Sequence, residues 1–526
     1  MVDQPDHPAY VQALLRPAAF DHPATNIRLI ETHISWVVLA GGYAYKVKKP
    51  LDLGFLDFST VERRRAACED EVRLNQRLSP EIYLGVVDIT EQIDGFRIGG
   101  SGPSVEPVVQ MRRLPDEGML PSMLQRGLVD SHLVRQIAEE LASFHARAGR
   151  GPDVSRFGRL DTIRANWDEN FEQMRPFVPS IIQPDVNDAI RTFVGEFIAH
   201  QAPLFDERVR RGRVCDGHGD LHAANICVVE GRPRFFDCLE FNPRFRCADV
   251  AAEVAFFAMD LDHFGRADLS DDFVSAYVAT SDDRGLLNLL TFYKCYRAYV
   301  RGKVRCLRLV GAPGRTAVDA DRIAADAAVY MDLAWSYAGG TGTAQIVVTF
   351  GPPAGGKSTL ARALASRLGL VHLSSDMTRK QLAGLRPTDR GDATINAGIY
   401  SPEMTAATYA ELRRQAGRWL GRGRSVVLDA TYGQASERDA IRTLAERSGS
   451  RLVLLSCQAD EATIRRRLAA RADDSSTVSD ARLEQWPALR DAFQPPRDDE
   501  NAHVIDTGGS LDQTTAQALR ALRGRA

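Results

Sequence analysis

His218-Gly219-Asp220-Leu221-His222-Ala223-Ala224-Asn225, followed by Pro233-Arg-Phe-Phe-Asp237, is the stretch that decides the reading of the N-terminal half. Asp220 and Asn225 stand five residues apart in a polar turn, and Asp237 closes an apolar strand twelve residues after Asn225. This spacing lets one carboxylate approach an acceptor hydroxyl while the carboxamide turns back toward a metal ion. Asp220 is the candidate catalytic base. Asn225 and Asp237 are the candidate ligands of a Mg2+ ion that bridges the phosphates of ATP. His218 and His222 lie four apart, as in a zinc helix, but no third ligand accompanies them.

Upstream, Thr32–Leu39 and Tyr43–Lys48 flank Gly41-Gly42 and read as a hairpin. A helix is predicted over Thr60–Leu78, with Ser59 or Thr60 as its cap, and a further strand over Glu106–Leu114. Residues 130–335 read as largely helical, interrupted by strands around 224–239.

A second signature, Gly351-Pro-Pro-Ala354-Gly355-Gly356-Lys357-Ser358-Thr359, satisfies G-x-x-x-x-G-K-[ST] after an apolar strand and before a helix. Backbone N–H groups of this loop and the helix N-terminus would cradle phosphates, Lys357 would reach the β- and γ-phosphates, and Ser358 the Mg2+. Asp429, ending Ser425-Val-Val-Leu, is the second metal-side candidate. Around the loop, strands at 346–350, 370–374, 425–429 and 451–456 alternate with helices at 357–368, 402–421 and 436–447. That rhythm predicts a parallel sheet with helices on both faces.

The segment from His218 to Asp237 resembles the motif of aminoglycoside phosphotransferases and related choline- and sugar-kinase-like enzymes, over roughly residues 28–335. The resemblance implies a two-lobed, protein-kinase-like α+β fold. It makes Asp220 the base and Lys46 the ATP-phosphate lysine, with Lys48 as the alternative. It makes Glu71 the partner of that lysine, with Glu69 as the alternative, and has Asp249 and His218 brace the catalytic loop. Only Gly41-Gly42 stands where protein kinases carry a glycine-rich loop, which leaves the phosphate lid unassigned.

Residues 343–526 resemble the zeta-toxin, gluconate-kinase and polynucleotide-kinase group of P-loop kinases. In Leu373-Ser-Ser-Asp376-Met-Thr-Arg379 the resemblance implies an aspartate that activates an acceptor hydroxyl and an arginine that grips a phosphate. Ile464-Arg-Arg-Arg467-Leu-Ala-Ala-Arg471 resembles that group's lid, with Arg467 and Arg471 on one helix face reaching ATP.

Composition bounds these readings. A chain of 526 residues exceeds one core. A net charge of −3 argues against bulk nucleic-acid binding. Eight cysteines without a CxxC pair read as reduced thiols, and no apolar run is long enough for a membrane span, so a cytoplasmic protein is expected. Ala338–Ala344 reads as the linker between two self-contained folds, giving an N-lobe at 1–115, a helical lobe at 116–337 and a P-loop domain at 345–526. Lys294, Arg297, Arg301 and Arg305 share one helix face, fit for an anionic substrate, for docking the second module, or for solvent. The expected activity is ATP-dependent phosphoryl transfer at two centres, the first acting on a small-molecule hydroxyl. A nucleic-acid end is the alternative acceptor of the second, and a regulatory protein in which one module gates the other is the alternative from another class.

Overall fold

The computed structural model describes residues 7–54, 56–310, 316–340, 343–386, 398–472 and 482–524. Its internal contacts define two compact units. The first is Met1–Glu169, Ile198–Asp260 and Asp271–Tyr293; the second is Asn170–Phe197, Leu261–Ser270 and Lys294–Ala526.

The first unit carries an antiparallel sheet of β1 (Arg28–Glu31), β2 (Ser35–Ala40), β3 (Tyr43–Lys48), β4 (Tyr83–Gln92), β5 (Gly95–Ile98) and β6 (Ser104–Arg112), in the order β1-β2-β3-β6-β4-β5. The β2–β3 turn needs glycine at Gly41, where φ is +58° and a Cβ would come within 2.5 Å of the Pro23 carbonyl oxygen. The helix Val61–Asn75 is capped by Thr60, whose Oγ1 accepts the Arg63 N–H at 3.3 Å. It buries Cys68 against Ile82, Tyr83 and Val109, and this seating carries Glu71 inside.

Beyond this sheet, the described residues of the first unit are mainly helical, with two short strand pairs. β7 (Val214–Asp216) pairs with β10 (Cys247–Asp249), and β8 (Ile226–Val229) pairs with β9 (Arg232–Phe235). The β8–β9 turn has Glu230 and Gly231 at φ +52° and +74°, the two positive φ values of a tight hairpin. These pairs fix both ends of the segment 218–237. The kinase-like α+β expectation is met.

The second unit contains five parallel strands, β11 (Gln345–Phe350), β12 (Val371–Ser374), β13 (Val426–Asp429), β14 (Arg451–Gln458) and β15 (His503–Asp506), in the order β12-β13-β11-β14-β15. Central β11 is buried along its whole length, as a parallel strand covered on both faces must be. The helices Lys357–Leu368, Pro402–Leu420 and Ala435–Ser448 stand where βα alternation puts them. The P-loop α/β fold is as expected. β15, a four-residue edge strand with only Ile505 buried, gives too short a pattern to read from sequence.

The compact units do not divide at 338–344. Lys294–Trp335 belongs with the P-loop fold: Lys294 shares the buried Asp262 with Arg424, and Asp332 pairs with two arginines of that fold. Asp262, fully buried, accepts from Lys294 at 2.8 Å, Tyr337 at 2.5 Å and Arg424 at 3.0 Å. Asp332 pairs with Arg367 at 3.0 Å and Arg523 at 2.6 Å. Burial works against the Asp262 carboxylate, but Arg424 and Lys294 hold its pKa below the ordinary value. The predicted linker is wound through Ser336–Gly340, and Thr341 and Gly342 lie outside the described residues.

The basic stripe is a packing device. Lys294 and Arg297 are buried, and Arg301 and Arg305 lie 5.5 and 4.8 Å from the centre of the Tyr330 ring. All eight cysteines are buried free thiols, and among the described residues no helix is long and apolar enough to cross a membrane.

Candidate active sites

In the first unit, β3 projects Lys46 and Lys48 to one face, because strand side chains alternate. Lys46 Nζ lies 2.8 Å from Glu71 Oε1 and 2.6 Å from Asp237 Oδ1. Lys48 Nζ lies 2.7 Å from Glu71 Oε2 and 2.5 Å from Glu240 Oε1. Glu71 therefore bridges both lysines, and the exposed Glu69 is not part of the set. Burial would weaken the Lys46 ammonium, but Asp237, Glu71 and Glu240 outweigh it and hold its pKa well up. Burial likewise opposes the Glu71 carboxylate, yet Lys46 and Lys48 bring it down to about 2.

Of the catalytic-loop candidates, Asp237 meets this line of charges directly, and Asp220 and Asn225 pair with each other. Asn225 Nδ2 donates to the Asp220 carbonyl at 2.9 Å and lies 3.3 Å from Asp220 Oδ2. His222 Nε2 stands 3.3 Å from the same oxygen. Asp237 sits at φ +64°, its N–H donated to Tyr83 Oη at 2.9 Å, so its carboxylate turns out of the strand toward Lys46. Asn75, one turn beyond Glu71, accepts the Cys238 N–H at 2.8 Å and ties the helix to the metal-side segment. Asp220, Asn225 and Asp237 offer hard oxygen atoms only, a donor set that fits Mg2+ rather than a thiophilic metal. Among the described residues no cluster of metal-ligating side chains suggests another ion.

His218 braces the loop. Its Nε2 reaches the Phe236 carbonyl at 3.0 Å and its Nδ1 accepts the Asp220 N–H at 3.3 Å; burial pushes its pKa down, which suits this neutral tautomer. The second brace, expected at Asp249, is Glu253. Its carboxylate takes the His218 N–H at 2.5 Å and also the Gly219 N–H, and it pairs with His145 at 2.6 Å. Burial works against this charge, but His145, His218 and the Gly219 N–H hold the carboxyl at about 2. Asp249, one helical turn earlier, is committed to Arg208 at 2.6 and 2.8 Å. A glutamate inside the apolar run Val250–Met259 was the sequence signal for Glu253.

In the second unit, β11 delivers the chain into the P-loop. A Cβ on Gly351 would stand 2.5 Å from the Cys457 carbonyl oxygen, and one on Gly356 2.8 Å from Thr507 Cβ. Gly355 has the same constraint, with Pro352 O at 2.9 Å. Ala354 and Gly356 take φ +59° and +83°, a pattern that turns backbone N–H groups into one concavity. Lys357 Nζ donates to the Pro352 carbonyl at 2.8 Å. Ser358 Oγ donates to Asp429 Oδ1 at 3.0 Å, and His372 Nε2 lies 3.2 Å from Asp429 Oδ2. Burial opposes the Asp429 carboxylate, but His372, Lys357 and Ser358 keep its pKa below the ordinary value. This cradle and the hydroxyl–carboxylate pair fit a phosphate chain with a hard cation.

Lys357, Ser358, Asp429, Asp376, Arg379 and Tyr400 share one cavity of about 340 Å³, with Thr359 at its rim. Asp376 and Arg379 stand 3.8 Å apart on the helix Ser375–Leu382, and the Arg379 guanidinium lies 4.6 Å from the Tyr400 ring centre. Sequence reasoning missed Glu437, on the wall of the same cavity; burial pushes its pKa up. Arg467 points to the back of the loop. It donates to the Ala354 carbonyl at 3.2 Å and the Thr507 carbonyl at 2.5 Å, so in this structure it supports the cradle instead of lining the cavity. The Arg471 side chain and the polar loop 473–476 after it lie outside the described residues.

Comparison with known proteins matches these two halves. Residues 346–496 match the family described as AAA domain. The uncharacterized protein Rv2004c of Mycobacterium tuberculosis (strain ATCC 25618 / H37Rv) is 36% identical over 505 residues, covering 95% of this chain and 97% of its own. An adenylate kinase of Mycobacterium sp. (strain MCS) is 30% identical over 186 residues, covering 34% of this chain and 98% of its own. Among solved structures, the GDP complex of aminoglycoside 2'-phosphotransferase-IIIa is 11% identical with a TM-score of 0.40, covering 63% of this chain and 99% of its own.

Proposed function

We propose that this chain, which belongs to the family of the mycobacterial protein just described, is an ATP-dependent phosphotransferase with two centres. Along the sequence the two centres are proposed to part at 338–344, with the helices just before that point packed against the P-loop fold. In the first, Lys46 positioned by Glu71 would orient the ATP phosphates, Asn225 and Asp237 would hold Mg2+, and Asp220 would take the proton of a small-molecule hydroxyl. In the second, the loop 351–359 with Lys357 would hold ATP. Ser358 and Asp429 would carry Mg2+, Asp376 would activate a small-molecule acceptor, and Arg379 would grip its anionic group. Bound Mg2+ supplies charge neutralisation between the phosphates.

The observation that carries this reading is the shared cavity, which puts Asp376 and Arg379 with Lys357, Ser358 and Asp429. A nucleotide switch has no use for the first pair. Similarity to adenylate kinases supports a phosphate-bearing small acceptor for this centre. The test is labelled ATP with sugars, aminoglycosides, nucleoside monophosphates and oligonucleotides, using the full chain and its Asp220→Asn and Asp376→Ala variants. Transfer lost on one substitution assigns that acceptor to that centre. Phosphorylation of oligonucleotides alone moves the second centre to the nucleic-acid reading. Hydrolysis without transfer to any acceptor, unchanged in both variants, leaves the gating reading.

A further inference from the structure

The Lys46–Glu71 pair does not end at Glu71. It continues through Lys48 to Glu240, giving the line Asp237–Lys46–Glu71–Lys48–Glu240 with successive separations of 2.6, 2.8, 2.7 and 2.5 Å. Charge signs alternate along it. The line runs inward from Asp237: its side chain is 46% exposed, Lys46 10%, Glu71 and Lys48 0%, and Glu240 at the far end 4%. A fully buried lysine is costly unless its neighbours are carboxylates, and both neighbours of Lys48 on this line are. The Phe58 ring closes over Lys48, its centre 4.9 Å from Nζ.

The open end of the line is the end that must change partners. In the proposed reaction Asp237 turns to the metal and Lys46 to phosphate, so Lys46 loses the carboxylate now 2.6 Å away. Glu71 must then keep Lys46 aimed without following it. One oxygen of Glu71 serves Lys46, and the other is taken by Lys48, which Glu240 anchors in turn.

We infer that Lys48 and Glu240 are positioning residues for the N-terminal nucleotide site, fixing Glu71 so that Lys46 presents its ammonium to ATP phosphates. This rests on the proposed reading of that site. It also accounts for two lysines on one strand face where a phosphate site needs one. With Asn75 bonded to the Cys238 N–H, both ends of the contact between the helix and the segment 237–240 are tied, so Glu71 is held in place before nucleotide arrives.

The experiment measures binding of a fluorescent ATP analogue with Mg2+ to the full chain carrying Lys357→Ala, so that the N-terminal site reports alone. Melting temperature is recorded in parallel. Lys48→Met should weaken binding by about 10- to 100-fold, the cost typical of losing a residue that orients a metal ligand, and should lower the melting temperature, since it strands Glu240. The double variant Lys48→Met with Glu240→Gln removes the stranded charge. It should regain most of the melting temperature while binding stays weak. Binding that recovers together with stability would reduce the pair to a structural role and overturn the inference; should Lys48→Met alone not fold, the double variant carries the same test. Lys46→Met in the same background checks the underlying reading. If it too binds like its parent, the assignment of the N-terminal nucleotide site fails, whatever Lys48 does.

Discussion

Lys46 lies among carboxylates, 2.6 Å from Asp237 and 2.8 Å from Glu71, whereas Lys357 donates to the Pro352 backbone carbonyl at 2.8 Å in the wall of an open cavity. Both lysines are assigned the same task, the phosphates of ATP. The kinase-like centre is assembled from residues 46, 71, 220, 225, 237 and 253, which meet only because a sheet, a helix and a loop pack together. Its charges are largely balanced before any ligand arrives. The P-loop cradle is made by nine consecutive residues and their backbone N–H groups, with Asp429 added from a neighbouring strand. The first arrangement makes binding and folding share the same side chains. The second leaves them more nearly separate.

The largest effect is expected from cutting the chain between residues 340 and 341. If the P-loop centre were as self-contained as its motif, residues 341–526 would fold alone. The fragment leaves behind Asp262 and Asp332, the partners of Arg424, Arg367 and Arg523, and the buried Leu333 and Trp335. It should be insoluble or lack a cooperative melt, and co-expression with residues 1–340 should recover it. A fragment that melts cooperatively by itself would break this part of the comparison.

Next come the two proposed bases. Asp220→Asn and Asp376→Ala should each reduce acceptor-dependent transfer at their own centre by ~10²–10⁴-fold, since each loses a positioned base. Nucleotide affinity should change little, and cross-effects would be read from transfer assays on the other centre's acceptor.

The lysines sharpen the contrast itself. Lys46→Met leaves Glu71, a fully buried carboxylate, with one cation fewer, and should cost about 3–5 kcal/mol of stability by urea titration. Lys357→Met should remove nucleotide turnover at the P-loop for a markedly smaller loss, because the side chain lines an open cavity. Equal losses at the two positions would show that the distinction between side-chain and backbone holding has no energetic content.

The smallest effect is in the pH dependence. Glu71 and Glu253 have folded pKa values of about 2, below their ordinary 4.5. Each contributes stability that is fully present above the unfolded value and lost as pH falls from 4.5 toward about 2, where the unfolded state binds more protons. The urea midpoint should therefore fall between pH 5 and pH 3, within the window those shifts set. Glu253→Gln should flatten that fall by about one proton's worth of slope, ~1.4 kcal/mol per pH unit. An unchanged slope would mean that Glu253 is not ionised beside His145.

Both folds were legible in the chain, and so were the residues from which both sites are proposed. Gly351–Ser358 is a contiguous motif, and the helix after it runs over Lys357–Leu368 as its pattern requires, although Gly351 and Gly356 also answer to Cys457 and Thr507 from distant sequence. Asp220, Asn225 and Asp237 could be read from spacing because a short loop and one hairpin join them. The choices left open were those in which spacing is equal: Lys46 and Lys48 both face inward on β3, and tertiary structure used both. Asp249 and Glu253 lie one turn apart on adjoining elements, and only packing against Arg208 and against the loop amides gave them different work. Arg467 had the periodicity of a lid residue, yet its guanidinium found carbonyls at the back of the P-loop. The basic stripe could serve an anionic substrate, a second module or solvent, and packing decided among them: Lys294 is buried against Asp262, and Arg301 and Arg305 lie over the Tyr330 ring. Spacing fixes which side chains share a strand or helix face; which of them keeps its charge, and against what, is decided by the counter-ion that burial brings to it.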